Sequence, residues 1–365
     1  MRVHPSQLIP GCVLLRDVSG KVSRPIIPKK TVLTEEHITV LHKFLVEAVE
    51  VSEKLHDGKV FKPNPEEVSE NQSQENIGKE VDVTSLSFKD HYFYVVKYYQ
   101  TLFNAWRNNV PIDMVEVRNL ILPLMDRMDN VRTRIHSLHH FTNKRDYFYH
   151  HSVSVSLLSG FLAKKMGYDK GEWIQIGLAG LLADAGMSRI HPFLLEKKGA
   201  FNQEERMEMI KHPTYSYRLL EKNPSVSLGI KLAVLQHHER IDGSGYPLGL
   251  SNGKIHDYAK VVAVCDIYHA MTSDRLYKEK QSPFRVIEEL QKEQYTKLDL
   301  FVVQAFINSI SNFTIGTKVR LSNDKKGEVV FMDPKHPTRP IVRIEENDAV
   351  IPLMEHKDIY IQEII

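Results

Sequence analysis

Disulfide chemistry is the first thing this chain lacks. Its 365 residues hold two cysteines, Cys12 and Cys265, too few for the framework of a small secreted scaffold. Long apolar runs are missing too. No window reaches the roughly 18 uninterrupted apolar residues of a membrane span. The start, Met1-Arg2-Val3-His4-Pro5-Ser6, has no signal-peptide core. Secretion and membrane insertion are therefore not expected, and the cytoplasm is the expected location. An excess of one charge sign is absent as well. A formal net charge of +2 gives no electrostatic footprint for a nucleic-acid polymer or an acidic surface. Apolar residues make up 42% of the chain, enough for packed cores, and the length suggests two or three domains.

The pattern along the chain predicts a mainly α fold, with a helical core between two small β-containing modules. Residues 1–55 begin with short apolar runs (Leu8-Ile9, Val13-Leu14-Leu15, Pro25-Ile26-Ile27) that read as short strands. A helix is expected to follow from Thr34, its N-cap, through Phe44. Residues 56–85 are poor in apolar groups and rich in Glu, Asn, Ser and Gln, the composition of a flexible linker. Residues 86–312 carry helix signals throughout. Tyr94, Tyr98, Leu102 and Trp106 stand one i+4 step apart, a stripe expected to be core or the seam of a homodimer. Gly167 is an expected C-cap, and Asn202-Gln203-Glu204-Glu205 resembles a capping box. Residues 313–365 form a small β-rich tail, with strands expected over 318–322, 327–331, 340–344 and 359–361. No catalytic constellation falls in it, so it reads as a docking or regulatory unit.

The most informative string is Gln236-His237-His238-Glu239-Arg240-Ile241-Asp242-Gly243-Ser244-Gly245-Tyr246-Pro247. Neutral imidazoles are good ligands for first-row transition metals. Both histidines continue the apolar stripe of Ile230 and Val234, so both are expected to face inward. Hydrogen-bonded core histidines are the plain alternative. Four other residues favour a metal site. Asp184 shares a helical face with Gly177 and Leu181, and Asp266 lies among Ala259, Val262, Ala263 and Ala270. A buried carboxylate is normally paired, protonated or metal-bound. His151 lines up with Val155, Leu158 and Leu162. His212 precedes Pro213, which places its ring at a helix junction. Together these six make an N/O donor set for one or two divalent transition-metal ions.

From about Tyr147 to Phe313 the chain resembles the HD-GYP proteins, a bacterial branch of the HD metal-dependent phosphohydrolases. The resemblance rests on His151-Ser152-Val153, Ala183-Asp184 at the name-giving pair, His212-Pro213, His237-His238-Glu239, Gly245-Tyr246-Pro247, and Asp266 followed by Thr272-Ser273-Asp274-Arg275-Leu276-Tyr277-Lys278. It implies a helical-bundle HD-GYP core that hydrolyses cyclic-di-GMP at a centre of iron or manganese, in bacterial second-messenger signalling. It also implies that His151, Asp184, His212, His237, His238 and Asp266 are metal ligands, with Asp184 the bridging, catalytic carboxylate. His212, His237 and His238 complete one ion's shell, and His151 and Asp266 hold the other. Tyr246, Arg275 and Lys278 match substrate-contacting positions. Tyr246 can stack on a guanine, and its loop and the terminal modules are candidate surfaces for protein partners.

Two departures cut against catalysis. Ala183 stands where the family has the histidine of its His-Asp pair, and Met187 where it has a phosphate-binding lysine. His269 stands where the family usually has a second aspartate. Two readings follow: a cyclic-di-GMP phosphodiesterase with a reduced metal site, or an inactive nucleotide sensor or protein scaffold.

Overall fold

The structure, a computed structural model, describes the chain except residues 4, 6–7, 20–24, 44–45, 47, 62–81, 131–134, 198, 276–278, 311–313 and 334–335. The stretch expected as a linker thus falls largely outside the described residues, as does Lys278. The chain divides into two units, Met1–Asp82 and Val83–Ile365.

The first unit pairs β1 (Arg2–Val3) with β4 (Val49–Glu50) and β2 (Val18–Ser19) with β3 (Pro25–Ile27), both antiparallel, around α1 (Glu35–Lys43). Leu14, Leu33, Leu41 and Val51 are its buried centre. Phe61 joins that cluster at 2% exposure, so packing continues past residue 55. Val13 and Leu14 contribute single bridges rather than a strand.

In the second unit, side-chain caps fix where helices begin. Ser87 caps α2 (Phe88–Arg107) and Asp113 caps α3 (Met114–Asp126). α4 (Tyr147–Lys165) is the central helix: residues 150 to 163 are all buried, the signature of a helix surrounded by others. Gly167 follows it at φ +88°, as expected of a C-cap. α5 (Lys170–Leu182) starts at a full capping box on Asp169 and crosses α4 at very short range. A Cβ on Gly180 would lie 2.9 Å from the Val155 carbonyl oxygen, so only glycine permits the approach.

Next come α6 (Pro192–Leu195), α7 (Gln203–Met209), α8 (His212–Leu220) and α9 (Leu228–Gln236). The capping box expected at Asn202 is present on α7. α10 (Asp257–Thr272), α11 (Pro283–Glu293) and α12 (Leu300–Ile310) close the bundle. Of the aromatic stripe on α2, Leu102 and Trp106 are core, while Tyr94 and Tyr98 pack half-buried at its edge.

The tail forms one antiparallel sheet in the order β8 (Val350–Pro352), β7 (Ile341–Ile344), β6 (Lys326–Phe331), β5 (Lys318–Leu321), β9 (Ile361–Ile364). The short strand β8 was not expected from the sequence. The sheet's own core includes Phe284 from α11. Arg339 clamps Glu288 of α11 through two nitrogens, at 2.6 and 2.7 Å, and Ser282 Oγ donates to the Ile361 carbonyl. Among the described residues, no helix is long and apolar enough to cross a membrane.

Candidate metal centre

The six singled-out donors come from five places in the bundle and converge. His151 projects from α4 and Asp266 from α10. Asp184 sits in the turn after α5, and His212 is the first residue of α8. His237 and His238 stand just past the last turn of α9 rather than within it. The stripe argument gave their inward direction but kept them within the helix, which ends at Gln236 with His237 as its C-cap.

Asp184 is the hub. Its Oδ1 lies 3.2 Å from His212 Nε2 and 3.8 Å from His237 Nε2, and its Oδ2 lies 3.5 Å from His151 Nε2. His151 Nε2 is also 2.9 Å from Asp266 Oδ1, and His238 Nδ1 is 3.7 Å from Asp266 Oδ2. One donor atom from each of Asp184, His212, His237 and His238 falls within 4.8 Å of all the others.

Hydrogen bonds at the far edges of two rings decide which nitrogen faces the centre. His212 Nδ1 is 2.7 Å from the Met209 carbonyl, and His237 Nδ1 is 2.8 Å from the Val234 carbonyl. A carbonyl only accepts, so each Nδ1 carries the hydrogen and each Nε2 presents a lone pair. Those two lone pairs stand 3.4 Å apart, an arrangement that calls for a cation between them. Metal–ligand bonds of about 2.1 Å separate neighbouring donors by roughly 3.0–3.4 Å, the range of the Asp184–His212 and His212–His237 spacings.

Electrostatics agree with the donor chemistry. Burial opposes ionisation of Asp184, but the imidazoles of His212, His151 and His237 gathered around it outweigh that and hold the carboxyl ionised. Burial likewise opposes ionisation of Asp266, yet the contact with His151 brings it down to about 2. Burial drives His237 below the ordinary imidazole range and His238 well below it. Burial thus keeps His237 and His238 neutral at neutral pH beside two ionised carboxylates, the forms that bind metals.

The supporting residues were not foreseen. Ser216 of α8 donates its hydroxyl to the Ala183 carbonyl (2.7 Å) and accepts the Gly186 N–H (2.7 Å). That pair ties the Asp184 turn to the helix bearing His212. Gly186 makes room for it: a Cβ there would lie 2.2 Å from the His212 carbonyl oxygen. Glu239, 3% exposed, accepts the Leu248 N–H (2.7 Å) on one oxygen and the Leu250 N–H (2.9 Å) on the other. It latches the loop that carries Tyr246. The signal was present in the sequence as an acid beside two inward histidines.

Tyr246 packs its ring 4.7 Å from that of His238. Burial, then the charges of Asp266 and Asp184, raise its hydroxyl above the ordinary tyrosine range, so it remains a neutral donor. The Arg275 guanidinium lies 5.9 Å over the Tyr147 ring, and Tyr147 stacks on His151 at 5.2 Å. Ala183 and Met187 are both buried. His150 turns into aromatic packing, with Nδ1 3.2 Å from Tyr92 Oη. His269 touches His151, Nδ1 to Nδ1 at 3.0 Å, on the ring edge away from the carboxylates. Cys265 is fully buried beside Asp266, and burial pushes its thiol up to about 12.

Comparison with known proteins sharpens the picture. A family model described as an HD domain matches residues 138–302, the stretch that holds all six donors. A cyclic di-GMP phosphodiesterase of Pseudomonas aeruginosa is 31% identical over 244 residues, 67% of this chain and 59% of that protein. A cyclic di-GMP phosphodiesterase of Borreliella burgdorferi is 29% identical over 59% of this chain and 56% of that protein. A 3'3'-cGAMP-specific phosphodiesterase of Vibrio cholerae is 31% identical over 41% of this chain and 35% of that protein. The chain thus spans less than two thirds of the length of each. With an HD-type match over the helices that converge on Asp184, and an intact Gly245-Tyr246-Pro247 turn, residues 138–302 are an HD domain of the HD-GYP type.

Proposed function

We propose that this protein is a metal-dependent phosphodiesterase that opens a cyclic dinucleotide, with cyclic-di-GMP the preferred substrate and 3'3'-cGAMP the competing one. The observation that carries it is the carboxylate of Asp184 gathered with one ring nitrogen from each of His212, His237 and His238. Asp184, His212, His237 and His238 hold the stronger ion, and His151 and Asp266, with Asp184 shared, hold a weaker one. Iron or manganese suits this mixed N/O set. A bound ion supplies an acidified water as nucleophile and polarises the phosphoryl oxygen. The residues do the rest. Asp184 orients both halves of the centre through its two oxygens. Tyr246 offers a neutral ring and hydroxyl beside His238, suited to stacking on a base and donating to phosphate. Arg275 and Lys278 receive phosphate charge, in the absence of a lysine at position 187. The cytoplasm is the compartment this reading implies.

Ala183 and Met187 favour the second reading, a sensor that binds the nucleotide without cutting it. One experiment separates the two. Iron and manganese per chain are counted in the purified protein, and linear dinucleotide is measured after incubation with each cyclic dinucleotide. Turnover that disappears, together with the metal, in Asp184→Ala supports the enzyme. Tight binding without product supports the sensor. Ala183→His with Met187→Lys is expected to raise both metal occupancy and rate; flat values in both would show that these two positions are not the defect.

A further inference from the structure

Three of the inward imidazoles are not held alike. His212 and His237 have their tautomers fixed by backbone carbonyls at 2.7 and 2.8 Å. Among the described residues, His151 has no such carbonyl. Its Nδ1 faces two groups, each able to donate or accept: Tyr147 Oη at 3.2 Å and, nearer, His269 Nδ1 at 3.0 Å. Its Nε2 faces the carboxylates of Asp266 and Asp184. Two ring nitrogens 3.0 Å apart form a hydrogen bond only if one carries hydrogen and the other a lone pair. For Nε2 of His151 to give its lone pair to an ion, its Nδ1 must carry the hydrogen and donate it. His269 Nδ1, the nearer of the two, is then the acceptor, since a hydrogen on both nitrogens at 3.0 Å would clash. That leaves the His269 hydrogen on Nε2, where the hydroxyls of Ser273 (3.4 Å) and Thr142 (3.5 Å) stand to accept it. With the hydrogens reversed, Tyr147 or His269 donates to Nδ1, and His151 Nε2–H donates to Asp266 instead. His269 is 1% exposed, so water does not compete for the role.

We propose that His269 is the positioning residue that makes His151 a metal ligand: occupancy by the second ion depends on it, and occupancy by the first does not. The proposal rests on the two-ion reading of the centre, though not on turnover. It also gives the substitution at position 269 a consequence. A neutral imidazole is a weaker acceptor than a carboxylate, so the second ion is held less firmly and can leave while the first stays.

The test is manganese binding to the full chain, followed by metal counting, competition with a chelating dye, and electron paramagnetic resonance of the bound ions. Wild type is expected to bind a tight and a weaker ion and to show the exchange-coupled signal of a manganese pair. His269→Phe keeps ring volume and removes the acceptor. It is expected to weaken the second ion by about 10–100-fold, abolish the coupled signal, and leave the tight ion unchanged. His269→Asp, which keeps an acceptor, is expected to restore the coupled signal, an outcome that a merely space-filling role does not produce. Should His269→Phe fail to fold by circular dichroism, His269→Leu, which also lacks an acceptor, is read in its place. Equal affinities in wild type and His269→Phe, or a defect in His269→Asp as large as in His269→Phe, overturn the proposal, as does a wild type that binds a single ion. Two ions without hydrolysis leave it standing while removing the phosphodiesterase reading.

Discussion

At the residue scale, the inward histidines show how much a partner's chemistry decides. His91 of α2 is a case outside the centre. It is 1% exposed, and Arg127 Nη1 lies 3.1 Å from its Nδ1. A guanidinium only donates, so Nδ1 carries the lone pair and the ring is neutral. Burial first, then the Arg127 charge, lowers its pKa to about 4. An unfolded histidine titrates near about 6.5, so the unfolded chain takes up a proton that the folded chain refuses. The contribution to stability is complete above that pH and is lost as pH falls toward 4. Thermal melting as a function of pH is expected to slope less steeply between these values in His91→Gln than in wild type; superimposable slopes would show that His91 is not held neutral. Five of the six side chains were legible as inward-facing from the apolar positions that share their helical faces, and His212 was legible only as a junction residue before Pro213. The tautomers were not, since they depend on carbonyls and rings brought close only by the fold.

At the scale of elements, the helices and the tail strands could be read from apolar periodicity, caps and turn residues. What could not be read was the close packing that sets the centre's dimensions. Gly186 looks like any glycine after a helix, yet a Cβ there would strike backbone atoms of α8, the His212 carbonyl oxygen at 2.2 Å and the Ser216 nitrogen at 2.4 Å. Backbone cannot swing aside as a side-chain end can. Gly186→Ala is therefore expected to cost about 1–3 kcal/mol of stability and to lower ion content, measured by melting and metal counting. Wild-type values for both would mean that the turn and α8 move apart freely. Glu239 is the second hidden element-level device. Removing it in Glu239→Ala strands two backbone N–H groups, each costing about 1–3 kcal/mol if left unsatisfied. Hydrogen exchange at Leu248 and Leu250 is expected to quicken, with α9 protection unchanged. Unaltered exchange at those two amides would mean the loop holds itself. Short β8 escaped the sequence because Val350-Ile351-Pro352 is too brief to show alternation, and it is defined only by pairing with β7.

At the scale of the whole molecule, no disulfide closes any part of the chain: both cysteines are free and buried. His151 and Asp266, whose side chains meet at 2.9 Å, are 115 positions apart in sequence. An ion shared across the centre would therefore be the chain's only staple among the described residues, tying together α4, the turn after α5, α8, the end of α9, and α10. Binding to the folded form alone stabilises it by about 2.7 kcal/mol when free ion stands at 100 times its dissociation constant. Saturating manganese is expected to raise the melting temperature of wild type, EDTA to lower it, and Asp184→Ala to respond to neither. A melting temperature indifferent to both additions would detach the cluster from folding. If the staple holds, scarcity of the metal does more than idle a chemical reaction. It loosens the bundle, opens it to proteases, and makes the supply of a trace nutrient set how long each copy of the protein survives.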